Sequence, residues 1–167
     1  SIGVVHRKKN FHVLLPLLKQ NTMELLIAGK HDDDHYISFI KERSRELGVA
    51  NNLHLLGRVT EEEKSWYFNN CRAFAFPSIS EGFGLPVVEA MSCGKPLFLS
   101  DRTALPEIGG DVSFYFRDFN PDHMQEVFNA GMDTYTELNM DNKIRERGTQ
   151  FNWHQSAKQY LSVYRSL

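Results

Sequence analysis

Residues 73–92 limit most strongly which folds this chain can adopt. An apolar run ending at Pro77 predicts a strand, and a short turn containing Gly82 and Gly84 follows it. Pro86 then stands at the expected first position of a helix, where its missing N–H is no loss. A strand that passes into a helix in this way leaves backbone N–H groups at the carboxyl edge of an open α/β sheet, where anionic ligands bind. We therefore expect an α/β fold with an anion site at this turn.

Two carboxylates flank the turn. Glu81 precedes it, and Glu89 is expected in the first turn of the helix, with seven residues between the two. Carboxylates repel phosphate, whereas they accept hydrogen bonds from the hydroxyls of a sugar. The pattern therefore predicts a ligand that is part diphosphate and part sugar. The structural alternative is that Glu89 caps a helix start, where an acid is favourable, and that Glu81 is an ordinary turn residue.

Residues 77–90, PSISEGFGLPVVEA, resemble the Glu-seven-residues-Glu signature of retaining glycosyltransferases with the GT-B architecture, in the large family-four class. The resemblance implies that Glu81 faces the hydroxyls of the donor sugar and that Glu89 binds the ribose of the nucleotide. It also implies that turn amides hold the sugar and the diphosphate. The residues that correspond to these amides are Phe83, Gly84 and Leu85.

A basic loop follows the first apolar run, residues 1–5. The family commonly has a Gly, then an Arg, then a Lys several residues later, and the Arg and the Lys contact the diphosphate. Gly3 and Lys9 match the Gly and the Lys, but Val4 stands at the Arg position. Arg7 could reach in from the loop in its place, since a cation there would offset the charge of the diphosphate. The alternative is that the loop is a solvated run of charge.

A second candidate segment follows the predicted strand at residues 53–56. In the family, a Gly-x-Val turn of this kind lies against the nucleobase, which makes Arg58 and Val59 candidate donor-binding residues. An acid two residues after the Val and a Lys three residues later can read guanine, and Glu61 and Lys64 occupy these positions. Both residues also fit a solvated, charged helix start, so the sequence leaves GDP and UDP open as the nucleotide.

The sequence contains five consecutive potential metal ligands: His31, Asp32, Asp33, Asp34 and His35. A metal site is therefore one interpretation of this segment. Adjacent oxygen and imidazole ligands rarely converge on one ion without others, and acids ahead of a helix are favoured by its dipole. We therefore expect no metal and no cofactor besides the nucleoside-diphosphate sugar, which is a substrate. The resemblance likewise implies that basic side chains and helix-end amides stabilise the leaving diphosphate.

Apolar runs alternate with helical segments along the chain and predict one doubly wound, mostly parallel sheet of about six strands. The predicted strands are residues 1–5, 23–28, 53–56, 73–77, 96–100 and 113–116. The predicted helices are residues 11–18, 36–47, 60–70, 85–92, 121–130, 141–148 and a last helix from about 152. The length of 167 residues fits one domain, and no repeat or linker divides it.

The resemblance runs from Gly3 to the last helix and implies that residues 1–167 are the C-terminal, donor-binding domain of the enzyme. We therefore expect the chain to be an excised part of a larger protein and to transfer nothing alone. The expected partners are the nucleotide-sugar donor and the N-terminal domain of the same enzyme, which carries the acceptor site. The acceptor is expected to be a carbohydrate or a lipid-linked sugar, in polysaccharide or glycoconjugate biosynthesis.

Composition and charge limit the kinds of partner and the cellular location that this chain can have. A formal net charge of -2 gives no reason to expect a nucleic-acid partner. No stretch reaches the roughly 20 apolar residues that span a membrane. Cys71 and Cys93 fall in predicted helical segments without metal or redox spacing, so we expect small buried thiols in a reducing compartment. We expect a cytoplasmic protein, with any association with the inner membrane made through the N-terminal domain.

Three other functions remain open from the sequence. A nucleotide-sugar epimerase shares the GT-B architecture but usually lacks the Glu-seven-residues-Glu pattern. A Rossmann-type dinucleotide module would need Gly-x-Gly-x-x-Gly after its first strand, and Val4, Val5 and a basic loop stand there instead. The third function is that of a non-catalytic protein-interaction domain that no longer binds a nucleotide-sugar donor.

Overall fold

The computed structural model describes residues 1–19 and 21–166 of the chain. Within this part, strands and helices alternate, as the sequence predicts for an α/β fold. The strands are β1 (Leu25–Ala28), β2 (Leu53–Gly57), β3 (Phe74–Phe76), β4 (Leu97–Ser100) and β5 (Ser113–Phe116). The α-helices are α1 (Asp34–Glu46), α2 (Glu61–Asn70), α3 (Leu85–Ser92), α4 (Leu105–Gly109), α5 (Pro121–Glu137), α6 (Asp141–Thr149) and α7 (Trp153–Ser166). Short 3₁₀ helices span Arg7–Lys9, Phe11–Leu18, Ala50–Asn52 and Gly110–Val112.

The strands form two small parallel sheets rather than the single sheet expected from the sequence. One sheet pairs β1 with β2, and the other has the order β3-β4-β5. The first predicted strand, residues 1–5, meets β1 and the residues after it only through isolated parallel bridges, Ile2 with Ala28 and Val5 with His31. Every strand pairing is parallel, so the α/β class and the parallel arrangement are confirmed.

Two glycines allow residues 1–5 to lie against the end of β1. The Gly3 N–H donates to the Ala28 carbonyl at 2.8 Å, and the Val5 N–H donates to the Lys30 carbonyl at 2.8 Å. Gly29 has a φ of 149°, and a Cβ built on it would stand 1.9 Å from the Gly3 carbonyl oxygen. Because no side chain fits this gap, the approach of the two backbones depends on glycine at position 29.

The predicted helix at residues 11–18 forms, but as a 3₁₀ helix. Pro16 lies inside it and has no N–H to donate, which disfavours a regular α-helix. Asn10 begins it in the left-handed conformation, with a φ of 57°, which Asn tolerates better than most residues. Phe11 and Leu15 are fully buried against β1 and α1, so the helix is held by its apolar face.

The centre of the larger sheet is β4, whose four residues are all buried because β3 and β5 flank it and helices cover both faces. On one face, α3, α4 and α6 pack in the cluster that contains Leu97 and Leu99. On the other, Phe98 stacks among aromatic rings, 4.7 Å from the ring centroid of Phe128 in α5. This rigid centre fixes the loops at the carboxyl ends of β3 and β4.

The last helix begins near its predicted start, yet none of the side chains described in it is buried. Trp153 is 79% exposed and Tyr164 is 70% exposed. The cysteines are less buried than expected: Cys71 and Cys93 are half-buried, and they lie just beyond the ends of α2 and α3 as capping residues. Across the described residues, no helix combines the length and the apolar character that crossing a membrane requires.

We predict that Gly29→Ala destabilises the chain by more than about 3 kcal/mol, because the added methyl group would push the Gly3 backbone away from β1. Gly48→Ala is the matched control: Gly48 has a φ of 71° but open space around it. Its cost should be only the left-handed backbone penalty, about 1–2 kcal/mol. Urea denaturation of both variants measures the difference, and equal losses would contradict the backbone contact.

Candidate functional site

The turn between β3 and α3 depends on Gly84. This residue begins α3 with a φ of 105°, a conformation that side chains resist. A Cβ there would also stand 3.1 Å from the Leu105 side chain. Leu85 is the first residue of the helix and Pro86 the second, which places Glu89 in the second helical turn rather than the first, contrary to the sequence prediction.

The start of α3 presents backbone N–H groups without protein acceptors. Across the described parts of the chain, no residue accepts a hydrogen bond from the amides of Phe83, Gly84 or Leu85. Helix starts carry a partial positive charge, so these amides can receive an anion. The Phe83 ring lies edge-on to Phe151, with ring centroids 5.8 Å apart, which holds the turn from the side of α6.

Lys9 and Glu81 meet beside this turn. The Lys9 Nζ donates to the Glu81 Oε1 at 2.6 Å, and their side chains are only 19% and 12% exposed. The ammonium also lies 4.8 Å from the centroid of the Phe76 ring, within the range of a cation–π contact. Gly3 lies underneath: a Cβ on it would stand 3.2 Å from the Lys9 Cε. The structure therefore brings together three of the predicted residues, Gly3, Lys9 and Glu81.

A serine network ties the basic loop to the turn. The Ser78 Oγ donates to the Lys8 carbonyl at 3.0 Å, and the Ile79 N–H donates to the same carbonyl at 2.9 Å. The Ser100 Oγ, at the end of β4, in turn donates to the Ser78 carbonyl. Ser78 and Ser100 are both fully buried. Sequence reasoning assigned them no role, although a polar residue that ends a buried strand is a signal of such a contact.

Thr103 supports Glu81 from the loop after β4. Its Oγ1 accepts a hydrogen bond from the Glu81 N–H at 3.0 Å. Thr103 has a φ of 50°, a genuine outlier for a β-branched residue. Such conformations cost about 1–3 kcal/mol and cluster at functional sites. The structure therefore adds Thr103 to the residues around Glu81.

A second cluster of charge centres on Lys64. Its Nζ lies 2.7 Å from the Glu61 Oε2 and 2.8 Å from the Glu89 Oε1. These two hydrogen bonds raise the pKa of the Lys64 ammonium above its ordinary value, with Glu61 the larger cause. Thr60 and Glu63 form a capping box at the start of α2, directly before Lys64 in the sequence. The proposed base-reading residues and the proposed ribose-binding residue are therefore in contact.

Arg7, another predicted site residue, lies apart from the clusters around Lys9 and Lys64. The Arg7 guanidinium sits 5.8 Å from the centroid of the Tyr36 ring and 5.9 Å from that of Phe39, against α1. Among the described contacts, none joins Arg7 to Lys9 or Glu81. The family has an Arg where this chain has Val4. That Arg7 contacts the diphosphate in its place stays a prediction.

The turn after β2 and the acidic run after β1 are neighbours. Arg58 is exposed and Val59 is half-buried. Lys30 donates to Asp32 and lowers the pKa of that carboxyl, and the charges of His6 and Arg58 add to this effect. Asp33 caps α1 by accepting from the Tyr36 N–H at 2.9 Å, as expected for an acid ahead of a helix. No cluster of three potential metal ligands occurs in residues 1–19 and 21–166.

The parallel α/β fold, with a helix start flanked by Glu81 and Glu89, is the arrangement that the sequence predicts. The family follows from a direct comparison, since the family model described as "Glycosyl transferases group 1" matches residues 1–151. The chain belongs to this family, which confirms the glycosyltransferase family seen in the sequence, whereas the retaining mechanism stays a prediction.

The curated relatives include several mannosyltransferases. The chain is 28% identical to O-antigen chain mannosyltransferase B of Escherichia coli over 176 aligned residues, covering 99% of this chain and 45% of that protein. It is 33% identical to the MMP alpha-(1->4)-mannosyltransferase of Mycolicibacterium hassiacum, covering 71% of this chain and 30% of the relative. The chain thus spans less than half the length of either protein.

Solved structures resemble the whole chain in fold. Alr3699/HepE of Anabaena in complex with UDP superposes with a TM-score of 0.87 at 20% identity, covering 99% of this chain and 48% of that one. Sucrose-phosphate synthase of Thermosynechococcus elongatus superposes with a TM-score of 0.84 at 22% identity, covering 99% and 45%. At these identities the similarity shows the fold alone, and the fold agrees with the predicted GT-B half.

We predict that Thr103→Val lowers the unfolding free energy by about 1 kcal/mol, because the Glu81 N–H loses its acceptor while shape and branching are kept. Thr103→Ser keeps the hydroxyl and is the control that should stay near the original value. Hydrogen exchange of the Glu81 amide, followed by NMR, locates the effect: it should speed up in the Val variant only. Unchanged exchange would mean that this hydrogen bond is not made in solution.

Proposed function

We propose that this chain is the donor-binding domain of a retaining glycosyltransferase that transfers mannose from a nucleoside-diphosphate sugar. The observation that carries the proposal is the pair of charge clusters, Lys9–Glu81 and Lys64–Glu89, on either side of a helix start with unused amides. A nucleotide sugar has the matching order of groups, which is sugar, diphosphate, ribose and base. Membership of the glycosyl transferases group 1 family supports this assignment.

Lys9 and the turn amides would stabilise the leaving diphosphate. Charge grows on the diphosphate as the bond to the sugar breaks, and fixed donors aimed at that charge lower the barrier. A lysine ammonium has three donors, so Lys9 can keep its bond to Glu81 while it offers the others to phosphate oxygens. The fixed Lys9–Glu81 contact would therefore hold the ammonium in place before the donor arrives. No metal ion is required in this scheme.

Glu81 would orient the sugar rather than attack it. Its carboxylate accepts hydrogen bonds from sugar hydroxyls, and its backbone is held by Thr103. In the proposed reaction the acceptor hydroxyl oxygen bonds to the anomeric carbon as the carbon–oxygen bond to the diphosphate breaks. The attack takes place on the face from which the diphosphate departs, and a diphosphate oxygen takes the acceptor proton.

Mannose and a polysaccharide product are supported by the names of the relatives, two of which are an O-antigen chain mannosyltransferase and an alpha-(1->4)-mannosyltransferase. The acceptor would bind to a second domain, since relatives are more than twice as long as this chain. We propose that this domain completes the site, and that the isolated chain binds the donor weakly. Measurable mannosyl transfer by the 167 residues alone would contradict this.

Calorimetry with GDP-mannose, UDP-glucose, GDP, UDP and NAD tests the donor assignment. GDP-mannose should bind, and Lys9→Met and Glu89→Gln should each weaken its binding about tenfold or more, since each removes a charge-assisted contact of roughly 1.5–3 kcal/mol. Lys41→Met and Glu42→Gln are matched controls, because both residues are exposed on α1 and should leave binding unchanged. Binding of NAD alone would instead favour a dinucleotide module.

The nucleotide preference can be tested at Glu61. A carboxylate can accept from the adjacent N–H and NH₂ groups of guanine, which uracil lacks. We predict that Glu61→Gln weakens GDP binding roughly fivefold to tenfold and leaves UDP binding unchanged, while Glu62→Gln, one residue away and exposed, changes neither. Equal losses for the two nucleotides would assign Glu61 to holding Lys64 rather than to reading the base.

A further inference from the structure

An open depression lies along the exposed side of α2. It has a volume of about 590 Å³ and is lined by six exposed side chains: Glu61, Glu62, Ser65, Trp66, Asn69 and Asn70. We call this surface the Trp66 face. The helix has ten residues and is therefore about 15 Å long, so the surface suits an extended ligand rather than a single ion.

Trp66 lies at the centre of this surface. Its side chain is 61% exposed, although tryptophans are highly buried on average. The Tyr67 ring meets the indole edge-on, with ring centroids 5.5 Å apart and an interplanar angle of 84°. Residues four positions apart are neighbours on a helix, so Glu62 and Asn70 lie on either side of Trp66. An aromatic ring is thus held between two polar side chains while most of it stays open to solvent.

The polar groups of the Trp66 face are mainly hydrogen-bond acceptors. The Asn69 Nδ2 donates to the Ser65 carbonyl at 2.9 Å, and the Asn70 Nδ2 donates to the Trp66 carbonyl at 2.8 Å. Each amide nitrogen is therefore occupied, and each Oδ1 remains to accept. Within residues 1–19 and 21–166, no hydrogen bond or ion pair engages these two oxygens or the Glu62 carboxylate. No basic side chain of the described chain lines the depression.

This chemistry favours a neutral sugar over other ligands. Sugar hydroxyls donate hydrogen bonds to carboxylate and amide oxygens, and the C–H face of a sugar ring can pack on an indole. Glu61 and Glu62 would repel phosphates, nucleic acids and anionic lipids. A protein partner would need about 800 Å² of surface with an apolar centre. Here a single aromatic ring lies among five polar side chains, which is too small an apolar area.

We propose that the Trp66 face binds a neutral oligosaccharide, with one sugar ring stacked on Trp66 and hydroxyls donating to Glu62, Asn69 and Asn70. The inference adds a second, non-catalytic saccharide site to the chain, and the binding itself does not depend on the donor assignment. A site of this kind would keep a saccharide chain beside the enzyme between transfers. That consequence, unlike the binding, rests on the proposed function.

The test uses the emission of Trp66. Trp153→Phe removes the other tryptophan of the chain, so the fluorescence of this variant reports on the Trp66 face alone. Neutral trisaccharides of mannose, glucose and N-acetylglucosamine should shift its emission to shorter wavelength in a saturable way. A trisaccharide of galacturonic acid should not, because Glu61 and Glu62 repel its carboxylates.

Variants locate the binding, which calorimetry measures for the neutral trisaccharide that binds best. Trp66→Ala should weaken it about tenfold or more, since the stacked ring is the central contact. Trp153→Ala is the matched control: it removes an equally exposed tryptophan on α7 and should leave binding unchanged. Glu62→Ala and Asn69→Ala should each weaken binding roughly threefold to tenfold, because each removes an acceptor. Circular dichroism should show a Tm for Trp66→Ala within about 2 °C of the original, as expected for an exposed position.

Three results would overturn the proposal. The first is that no neutral trisaccharide of the panel changes the Trp66 emission. The second is that Trp66→Ala and Trp153→Ala bind the trisaccharide equally well. The third is that guanosine binds at Trp66 and the trisaccharides do not, which would assign the surface to a planar ring. Saccharide binding without binding of GDP-mannose would contradict the donor assignment and leave this inference intact, so the two failures are distinguishable.

Discussion

The backbone contact between the basic loop and the turn after β3 is the constraint on which the rest of the site depends. Lys9 and Glu81 are 72 positions apart, and their largely buried ion pair alone would not hold two loops together, since burying two charges costs much of what their attraction returns. The Lys8 carbonyl does so by accepting from both Ser78 and Ile79. Ser78 is buried and is held in turn by Ser100, so the contact is anchored in the centre of the larger sheet. The charged side chains then meet because their backbones are already in place.

In the proposed function, the two clusters would divide the chemistry of one extended ligand. Lys9 and Glu81 suit the reacting end, where charge moves, whereas Lys64 and Glu89 suit the nucleoside, where it does not. Lys64 contacts both Glu61 and Glu89, so one cation links the residue proposed for the base to the residue proposed for the ribose. Three charges held in this way need little rearrangement on binding, because each carboxylate is already oriented by the ammonium. Between the clusters, the amides at the start of α3 supply fixed dipoles with no side chain to order.

Local patterns in the sequence predicted local structure well. The helix expected at residues 60–70 forms, with a capping box at Thr60, and the expected Gly turn forms with Gly84 in a left-handed conformation. Contacts between distant segments could not be read in the same way. Arg7 stands next to Lys8 in the sequence, yet its guanidinium packs on the rings of α1, because apolar and aromatic neighbours are available there. The single predicted sheet separates into two because hydrogen bonding between strands depends on register and on edges, which hydrophobic runs do not specify.

The exposure of both tryptophans has a practical consequence for spectroscopy. Trp66 is 61% exposed and Trp153 is 79% exposed, and the chain has no other tryptophan. Indole rings in water emit at long wavelength whether the chain is folded or not, so intrinsic fluorescence is a weak reporter of unfolding here, and circular dichroism is the better probe. The exposure of Trp153 also makes α7 a useful fluorescence probe. A protein surface that covers Trp153 would shift its emission to shorter wavelength, which is easily detected because both tryptophans of the free chain are exposed.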